Sequence, residues 1–326
     1  MKVLVAIYSP FAGWTIPERH IEALRRRFPH HEFVRAHSGD EAVALIASAE
    51  VAFASELRRP HLVAARRLRW IHSPAVGVGG MLFPEMVDSS VIITNSRGVA
   101  AGTIAEHVLA CVLAIFRKLP LAIRSQASAE WAQDAIAAAP PVRLLAGARV
   151  LVVGLGAIGT AVAARMLALG AVVTALRRNV TAPAPAGIDV RPHDALREAL
   201  PAADVVVVAA PHTKGTRGLI GREELAAMRR DAVLVNVSRG ALVDEAALAD
   251  ALSRGIIGGA ALDVFHDEPL PRDSPLWAVP NLLITPHTSW IRSDHWDVMT
   301  ELFAANLQRF AAGEPLMNVV DKAAGY

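Results

Sequence analysis

The chain has 326 residues, which at roughly 100–200 residues per domain points to about two domains. Apolar residues make up 53% and charged residues 20%, enough to fill a sizeable core and incompatible with wholesale disorder. Thirty-three Lys plus Arg against 31 Asp plus Glu leave +2 with the signs interspersed, so the pI of about 9.0 reflects a small excess and not a basic stripe. With only 5% aromatic residues, nucleic acid is not an expected partner.

A single cysteine, Cys111, excludes an intramolecular disulfide and lies in the apolar run 108–116, the setting of an inert core thiol. Glu106-His107 precedes that run and Arg117-Lys118 follows it, so it falls short of the ~20 apolar residues of a membrane span. Near the amino end, Lys2 is followed by only six residues before Ser9-Pro10, too few for a secretory core. A reduced, cytoplasmic location without a membrane partner is expected.

In chain order, residues 3–7 read as a buried strand. Thr15-Ile16-Pro17 is predicted to open a helix, with Thr15 near the cap and Pro17 in the first turn, where its missing N–H costs nothing. Asp40 is predicted to start a second helix, and strands follow at 51–54, 68–71 and 91–94, a βα alternation that implies a parallel sheet. Residues 99–118 form a long helix candidate, and 125–146, rich in Ala and Pro, are expected to be a loosely structured bridge. From Ala148 the alternation restarts, with strands at 149–153, 171–176, 204–209, 232–236, 258–262 and 282–284 and helical patterns such as 244–253 between most of them. Six such strands fit a doubly wound sheet. A last helix candidate spans 292–311, and no internal repeat is present.

The strand 149–153 runs directly into Gly154-Leu-Gly156-Ala157-Ile158-Gly159 and then a helical stretch to Leu169. The first glycine permits the tight turn, the second lets backbone approach a pyrophosphate, and the third lets helix and strand pack closely. The opening helix adds N–H donors and a positive dipole. A dinucleotide site is therefore expected at Gly154, Gly156, Ala157, Ile158 and Gly159. NAD sites usually carry Asp or Glu about 20 residues further on, for the ribose 2′-hydroxyl. Here the second strand ends Ala-Leu-Arg177-Arg178-Asn179 without a carboxylate. A guanidinium binds a 2′-phosphate bidentately, so NADP(H) is expected as the preferred cofactor and NAD(H) as the alternative.

Three polar residues follow strand ends in the second half: Arg239 after 232–236, Glu268 after 258–262 and His287 after 282–284. In an open α/β sheet those ends face the binding crevice, so the three could converge on one ligand. Reducing a ketone by hydride transfer places negative charge on its oxygen, which calls for a proton donor in contact with it. Histidine suits that task, and a neighbouring carboxylate orients it and favours its protonated form. A substrate bearing a carboxylate beside the ketone needs a cation as well, and Arg meets a planar carboxylate with two parallel bonds. On this reading Arg239 binds substrate, His287 donates the proton, and Glu268 holds His287.

The blocks Gly154-Leu-Gly-Ala-Ile-Gly159, Asn236-Val-Ser-Arg-Gly-Ala-Leu-Val-Asp244, Leu262-Asp-Val-Phe-His-Asp-Glu-Pro-Leu-Pro271 with Ser274-Pro-Leu-Trp277, and Ile284-Thr-Pro-His287 follow one another in a specific order. In this the chain resembles the D-isomer-specific 2-hydroxyacid dehydrogenases, particularly the glyoxylate/hydroxypyruvate reductase branch, over nearly its whole length. The resemblance places the catalytic arginine, glutamate and histidine on Arg239, Glu268 and His287. It places a nicotinamide-contacting aspartate on Asp263 and further cofactor contacts near Pro211, Thr216 and Val237. It also places a substrate-carboxylate loop at 73–78, where the N–H groups around Val76 and Gly77 would join Arg239. It implies an α/β fold of two doubly wound parallel-sheet domains. A Rossmann cofactor domain, 99–292, would be inserted into a flavodoxin-like substrate domain made of 1–98 and 293–326. The active site would lie in the cleft, whose closure excludes water. Homodimers are usual in the family, with the apolar helix 104–116 as the candidate interface. No metal is implied.

The chain departs from the family pattern at Arg177, where NAD users carry an acid, at Gly79, where a polar residue often follows the substrate loop, and at Trp290, where a small residue is common. Its end at Tyr326 leaves no room for the regulatory domain of long phosphoglycerate dehydrogenases. The leading expectation is reduction of a small 2-oxo acid, such as glyoxylate or hydroxypyruvate, to the D-2-hydroxy acid. The alternatives are dehydrogenation of another small anion such as phosphite, and a nucleotide-sensing module like the corepressors built on this fold. Formate dehydrogenases pair the histidine with Gln, so Glu268 argues against that activity.

Overall fold

Val, Ile, Leu and Ala dominate the strands of both halves because parallel strands are covered on both faces and must be apolar on both. The computed structural model describes residues 1–139 and 142–325. Its strands are β1 Lys2–Ala6, β2 Glu32–Arg35, β3 Val51–Ala54, β4 Trp70–Ser73 and β5 Ile92–Asn95, then β6 Arg149–Val153, β7 Val172–Arg177, β8 Ile188–Pro192, β9 Val205–Val208, β10 Val233–Asn236, β11 Gly259–Leu262 and β12 Leu282–Ile284. The chain separates into two compact units, Met1–Val99 with Arg292–Tyr326, and Ala100–Ile291.

The first unit holds a parallel sheet in the order β2-β1-β3-β4-β5, the flavodoxin order. Side chains alternate across it: Val3, Val5 and Ile7 enter one apolar cluster, and Leu4 and Ala6 enter the other. The helix His295–Ala312 covers the first of these clusters, with Phe303 stacked on Phe53 at 4.3 Å. The second unit holds a seven-stranded parallel sheet in the order β12-β11-β10-β9-β6-β7-β8, a doubly wound arrangement with its reversal between β6 and β9. Leu151 and Val153 face one cluster, and Val150 and Val152 face the other. The helices Ala101–Phe116 and Ala157–Ala168 cover the latter. Each fully buried aliphatic side chain here contributes on the order of 1.5–3 kcal/mol.

Several sequence expectations need correction. Two strands were not anticipated, Glu32–Arg35 and Ile188–Pro192, and both are sheet edges. An edge strand pairs on one side only, so it tolerates polar residues and, in β8, a terminal proline. Pro17 is the N-cap and not a first-turn residue of Glu18–Arg27, while Thr15 Oγ1 donates to the Ser9 carbonyl instead of capping. Ser38, not Asp40, caps Gly39–Ile46, its side chain accepting from Glu41 N–H. The expected bridge 125–146 contains the helix Gln133–Ala138 and the end of Leu119–Ala127. Pro140 and Pro141 of that bridge, like Tyr326, lie outside the described residues. The apolar face of Ala101–Phe116 is spent inside its own unit, where Ile104, Val108, Cys111, Val112 and Phe116 are buried. Burial, with Asp263 nearby, pushes the Cys111 thiol up to about 12, as an inert core thiol requires.

Candidate active site

Every candidate residue of the second unit sits at the carboxyl edge of its sheet. Gly154 leaves β6 with φ +101°, and a Cβ on it would lie 2.6 Å from the Ala210 backbone. A Cβ on Gly159 would lie 1.9 Å from the Gly154 carbonyl oxygen, so helix and strand approach as closely as backbone allows. Gly156 is the N-cap of Ala157–Ala168, and a Cβ there would meet nothing within 4 Å. The result is a side-chain-free cradle over a helix N-terminus, beside the reversal between β6 and β9, which fits the pyrophosphate of a dinucleotide.

Arg177 closes β7. Its Nη1 donates to the Pro183 carbonyl at 3.1 Å, and its Nη2 to those of Val180 (3.4 Å) and Ala182. Its guanidinium therefore clamps the loop 180–183, whereas Arg178 beside it is exposed. After β9, Thr216 Oγ1 donates to the Pro211 carbonyl at 2.7 Å, which folds the 211–216 loop back on itself. Val237 is buried after β10, 5% exposed.

Asn236 shapes the next turn. Its Oδ1 accepts from Ser238 N–H at 3.1 Å, and its Nδ2 donates to the Arg239 carbonyl at 2.9 Å. Arg239 follows, its Nη1 donating to the Ser238 carbonyl at 2.6 Å. Burial lowers the Arg239 pKa, while Glu268 acts to raise it.

Beyond β11, Glu268 Oε1 accepts from Phe265 N–H at 2.9 Å, and His266 N–H donates to Glu245 at 2.6 Å. The other Glu268 oxygen, Oε2, lies 2.6 Å from His287 Nδ1. Partial burial would raise the Glu268 pKa. The His287 hydrogen bond, the Phe265 N–H and the charges of His287 and Arg239 outweigh it and hold the carboxyl below its ordinary range. Arg239, Glu268 and His287 are thus coupled. Such a set can anchor an anion and pass a proton to a neighbouring oxygen.

Asp263, 1% exposed, accepts from Thr285 Oγ1 (2.6 Å) and Thr288 N–H (2.9 Å) at Oδ1, and from Ser289 N–H (3.0 Å) at Oδ2. It fastens the loop that carries His287, and a carboxylate has lone-pair capacity left for one further donor. Sequence reasoning missed Thr285, Asn236 and His107 as supports. His107 Nε2 lies 3.1 Å from Thr285 Oγ1 although 178 positions separate them, and no local pattern announces such a pair. Among the described residues no group of three or more His, Cys, Asp or Glu is placed to hold a metal ion, and no helix is long and apolar enough to cross a membrane.

In the first unit, the loop after β4 exposes Val76 and Gly77. Asn95 Nδ2 donates to the Val76 carbonyl at 2.7 Å, and Ser96 Oγ donates to that of Ser73 at 3.1 Å, so two of the loop's carbonyls are held by β5 and its exit. A cavity of about 370 Å³ opens beside it, lined by Tyr8, Trp14, Ser55, Glu56, Gly77 and Val78 among others. His72 of β4 is fully buried, with Nδ1 2.7 Å from Thr94 Oγ1 and Nε2 3.4 Å from Ser96 Oγ.

Comparison with known proteins identifies the family. Residues 109–289 match the family model described as D-isomer specific 2-hydroxyacid dehydrogenase, NAD binding domain. A glycerate dehydrogenase of Methylorubrum extorquens is 32% identical over 306 residues, 90% of this chain and 93% of that one. A glyoxylate reductase of Pyrococcus furiosus is 35% identical over 263 residues, 79% of this chain and 77% of that one. The crystal structure of a D-isomer specific 2-hydroxyacid dehydrogenase from Xanthobacter autotrophicus Py2, in complex with NADPH and MES, superposes with a TM-score of 0.84. That structure is 32% identical, and the match covers 99% of each chain.

Proposed function

Because this chain belongs to the D-isomer specific 2-hydroxyacid dehydrogenases, enzymes that reduce 2-oxo acids with NAD(P)H, we propose that it prefers NADPH and acts on a small 2-oxo acid of the glyoxylate or hydroxypyruvate kind. The observation that carries the reading is the 2.6 Å contact of His287 Nδ1 with Glu268 beside the charge of Arg239. The contact commits Nδ1 to the carboxylate and leaves Nε2 for the substrate.

Gly154, Gly156, Ala157, Ile158 and Gly159 would hold the cofactor's pyrophosphate. The loops at Pro211–Thr216 and Val237 would flank the rest of it, with the remaining acceptor capacity of Asp263 toward the carboxamide. The bound reduced nicotinamide supplies the hydride. Arg239 holds the substrate carboxylate with two parallel bonds, and in a partly desolvated setting such a pair is stronger than in water. His287 delivers its Nε2 proton to the carbonyl oxygen as charge builds there, and Glu268 keeps the ring in register throughout. In the first unit we assign anion binding to the loop of Val76 and Gly77, both exposed.

NADPH preference rests on the absence of a carboxylate at the end of β7 and on the presence there of Arg178, an exposed residue, with Arg177 shaping the loop beside it. NADPH and NADP complexes among similar structures support it, since the Xanthobacter protein was crystallised with NADPH. We also assign to a second copy of the chain the exposed apolar side chains Leu119 and Ile123, one helical turn apart, with Trp131 and Leu144. Trp131 is 89% exposed, and Arg143 N–H bonds the Phe116 carbonyl, which brings 144 near the start of the helix Leu119–Ala127.

The test is a steady-state screen of glyoxylate, hydroxypyruvate, pyruvate and other 2-oxo acids with NADPH and NADH, together with phosphite oxidation. Turnover of glyoxylate or hydroxypyruvate with a kcat/KM higher for NADPH supports the reading. Phosphite oxidation without 2-oxo acid reduction overturns the substrate class, and a higher kcat/KM for NADH overturns the cofactor preference.

A further inference from the structure

His287 has φ +53°, in the left-handed region that residues other than glycine seldom adopt. Something must hold it there, and the peptide unit that follows it is gripped at both ends. Its N–H, that of Thr288, donates to Asp263 Oδ1 at 2.9 Å, and its carbonyl, that of His287, accepts from Trp290 Nε1 at 2.9 Å. Asp263 is itself anchored through Thr285 Oγ1, which donates to it and therefore accepts from His107 Nε2. The Trp290 ring, partly buried, packs against the apolar cluster that fills one side of the sheet. The carbonyl of His287 is thus tied to the core through an indole.

We propose that Trp290 is a positioning residue for proton transfer, whose indole N–H fixes the 287–288 peptide and so aims the His287 imidazole. The inference rests on the assignment of His287 as proton donor. Without the indole donor, Asp263 still holds the peptide's N–H, but its carbonyl is released. The peptide can then rotate about that single attachment, and the His287 backbone relaxes toward commoner conformations. The imidazole leaves its place against Glu268, where a displacement of about 1 Å is enough to cost a large factor in rate. A phenylalanine keeps an aromatic ring on the core and lacks the donor, which makes Trp290→Phe the informative change.

The experiment compares wild type, Trp290→Phe, His287→Ala and the double variant. Trp290→Phe is expected to lower kcat about 10-fold, to leave the KM for reduced cofactor within about twofold, and to displace the pH profile of kcat. In the His287→Ala background it is expected to cause no further loss, because its effect passes through that ring. NMR spectra of the cofactor-free proteins with labelled histidine are expected to show a moved His287 ring resonance and an altered titration in Trp290→Phe. An unchanged kcat, pH profile and His287 resonance overturns the proposal, as does an equal loss of kcat in the His287→Ala background. If wild type reduces no 2-oxo acid at all, the proposed function fails instead, and the resonance comparison still decides the role of Trp290.

Discussion

Gly240 lies so close to Phe265 that a Cβ added to it would sit 1.9 Å from the Phe265 carbonyl carbon and 2.3 Å from the His266 nitrogen. These are backbone atoms, which cannot swing aside as a flexible side chain would. The contact presses the turn carrying Arg239 against the loop carrying Glu268. Gly240→Ala should therefore separate the two loops, reducing kcat/KM for a 2-oxo acid by about 10²-fold while the sheet stays folded. Steady-state kinetics and a circular dichroism melt check this. Near-normal kcat/KM would show that the loops do not need this approach.

Removing the imidazole of His287 gives a different signature. His287→Ala should lower kcat by about 10²-fold or more, the scale of positioned acid–base catalysis, with cofactor affinity little changed because the glycine cradle lies at another strand end. Fluorescence titration with NADPH and single-turnover rates measure the two quantities separately. A kcat near that of wild type would end the assignment.

The two arginines at the end of β7 give separate predictions. Arg178→Asp should lower the ratio of kcat/KM for NADPH to that for NADH by about 10-fold or more, since a carboxylate repels a 2′-phosphate and accepts from a 2′-hydroxyl. Arg177→Ala releases the carbonyls of Val180, Ala182 and Pro183 and should weaken both cofactors together. If Arg177→Ala alters the ratio and Arg178→Asp does not, the roles are reversed.

Much of this arrangement was legible in the sequence, for physical reasons. Central strands such as Val205–Val208 are buried on both faces and read as unbroken apolar runs. The edge strands Glu32–Arg35 and Ile188–Pro192 carry no such run and were invisible. The glycine cradle, Arg239, Glu268 and His287 were legible because each follows a strand that could be recognised. Their supports were not. That Arg177 turns to its own loop, that His107 reaches Thr285, and that Trp290 caps the His287 carbonyl depend on side-chain directions and long-range packing.

If a second copy covers the exposed side chains Leu119, Ile123, Trp131 and Leu144, placing a charge among them should split the assembly. Ile123→Asp, at a side chain 63% exposed, costs the single chain little. Sedimentation velocity should show the wild type at twice the mass of the variant at micromolar concentration. Equal masses would remove this surface as the interface.

Acid should destabilise the first unit through His72. Full burial pushes this imidazole down to about 3, whereas an unfolded histidine titrates near 6.5. As pH falls below about 6.5 the unfolded state takes up a proton that the folded state refuses, so the contribution of His72 is complete above that pH. It is lost progressively down to about 3. His61 and His20, both lowered chiefly by burial, act in the same direction. His72→Phe places a ring of similar size among Phe53, Trp70 and Phe303 and removes the titration. It leaves Thr94 and Ser96 short of a partner, so its stability at pH 7 should be lower than that of wild type. Its slope of unfolding free energy against pH, between about pH 4 and 6, should be shallower by up to about 1.4 kcal/mol per pH unit, one proton's worth. Urea titrations across that range measure the slope, and an unaltered slope would mean that His72 gains a proton without unfolding.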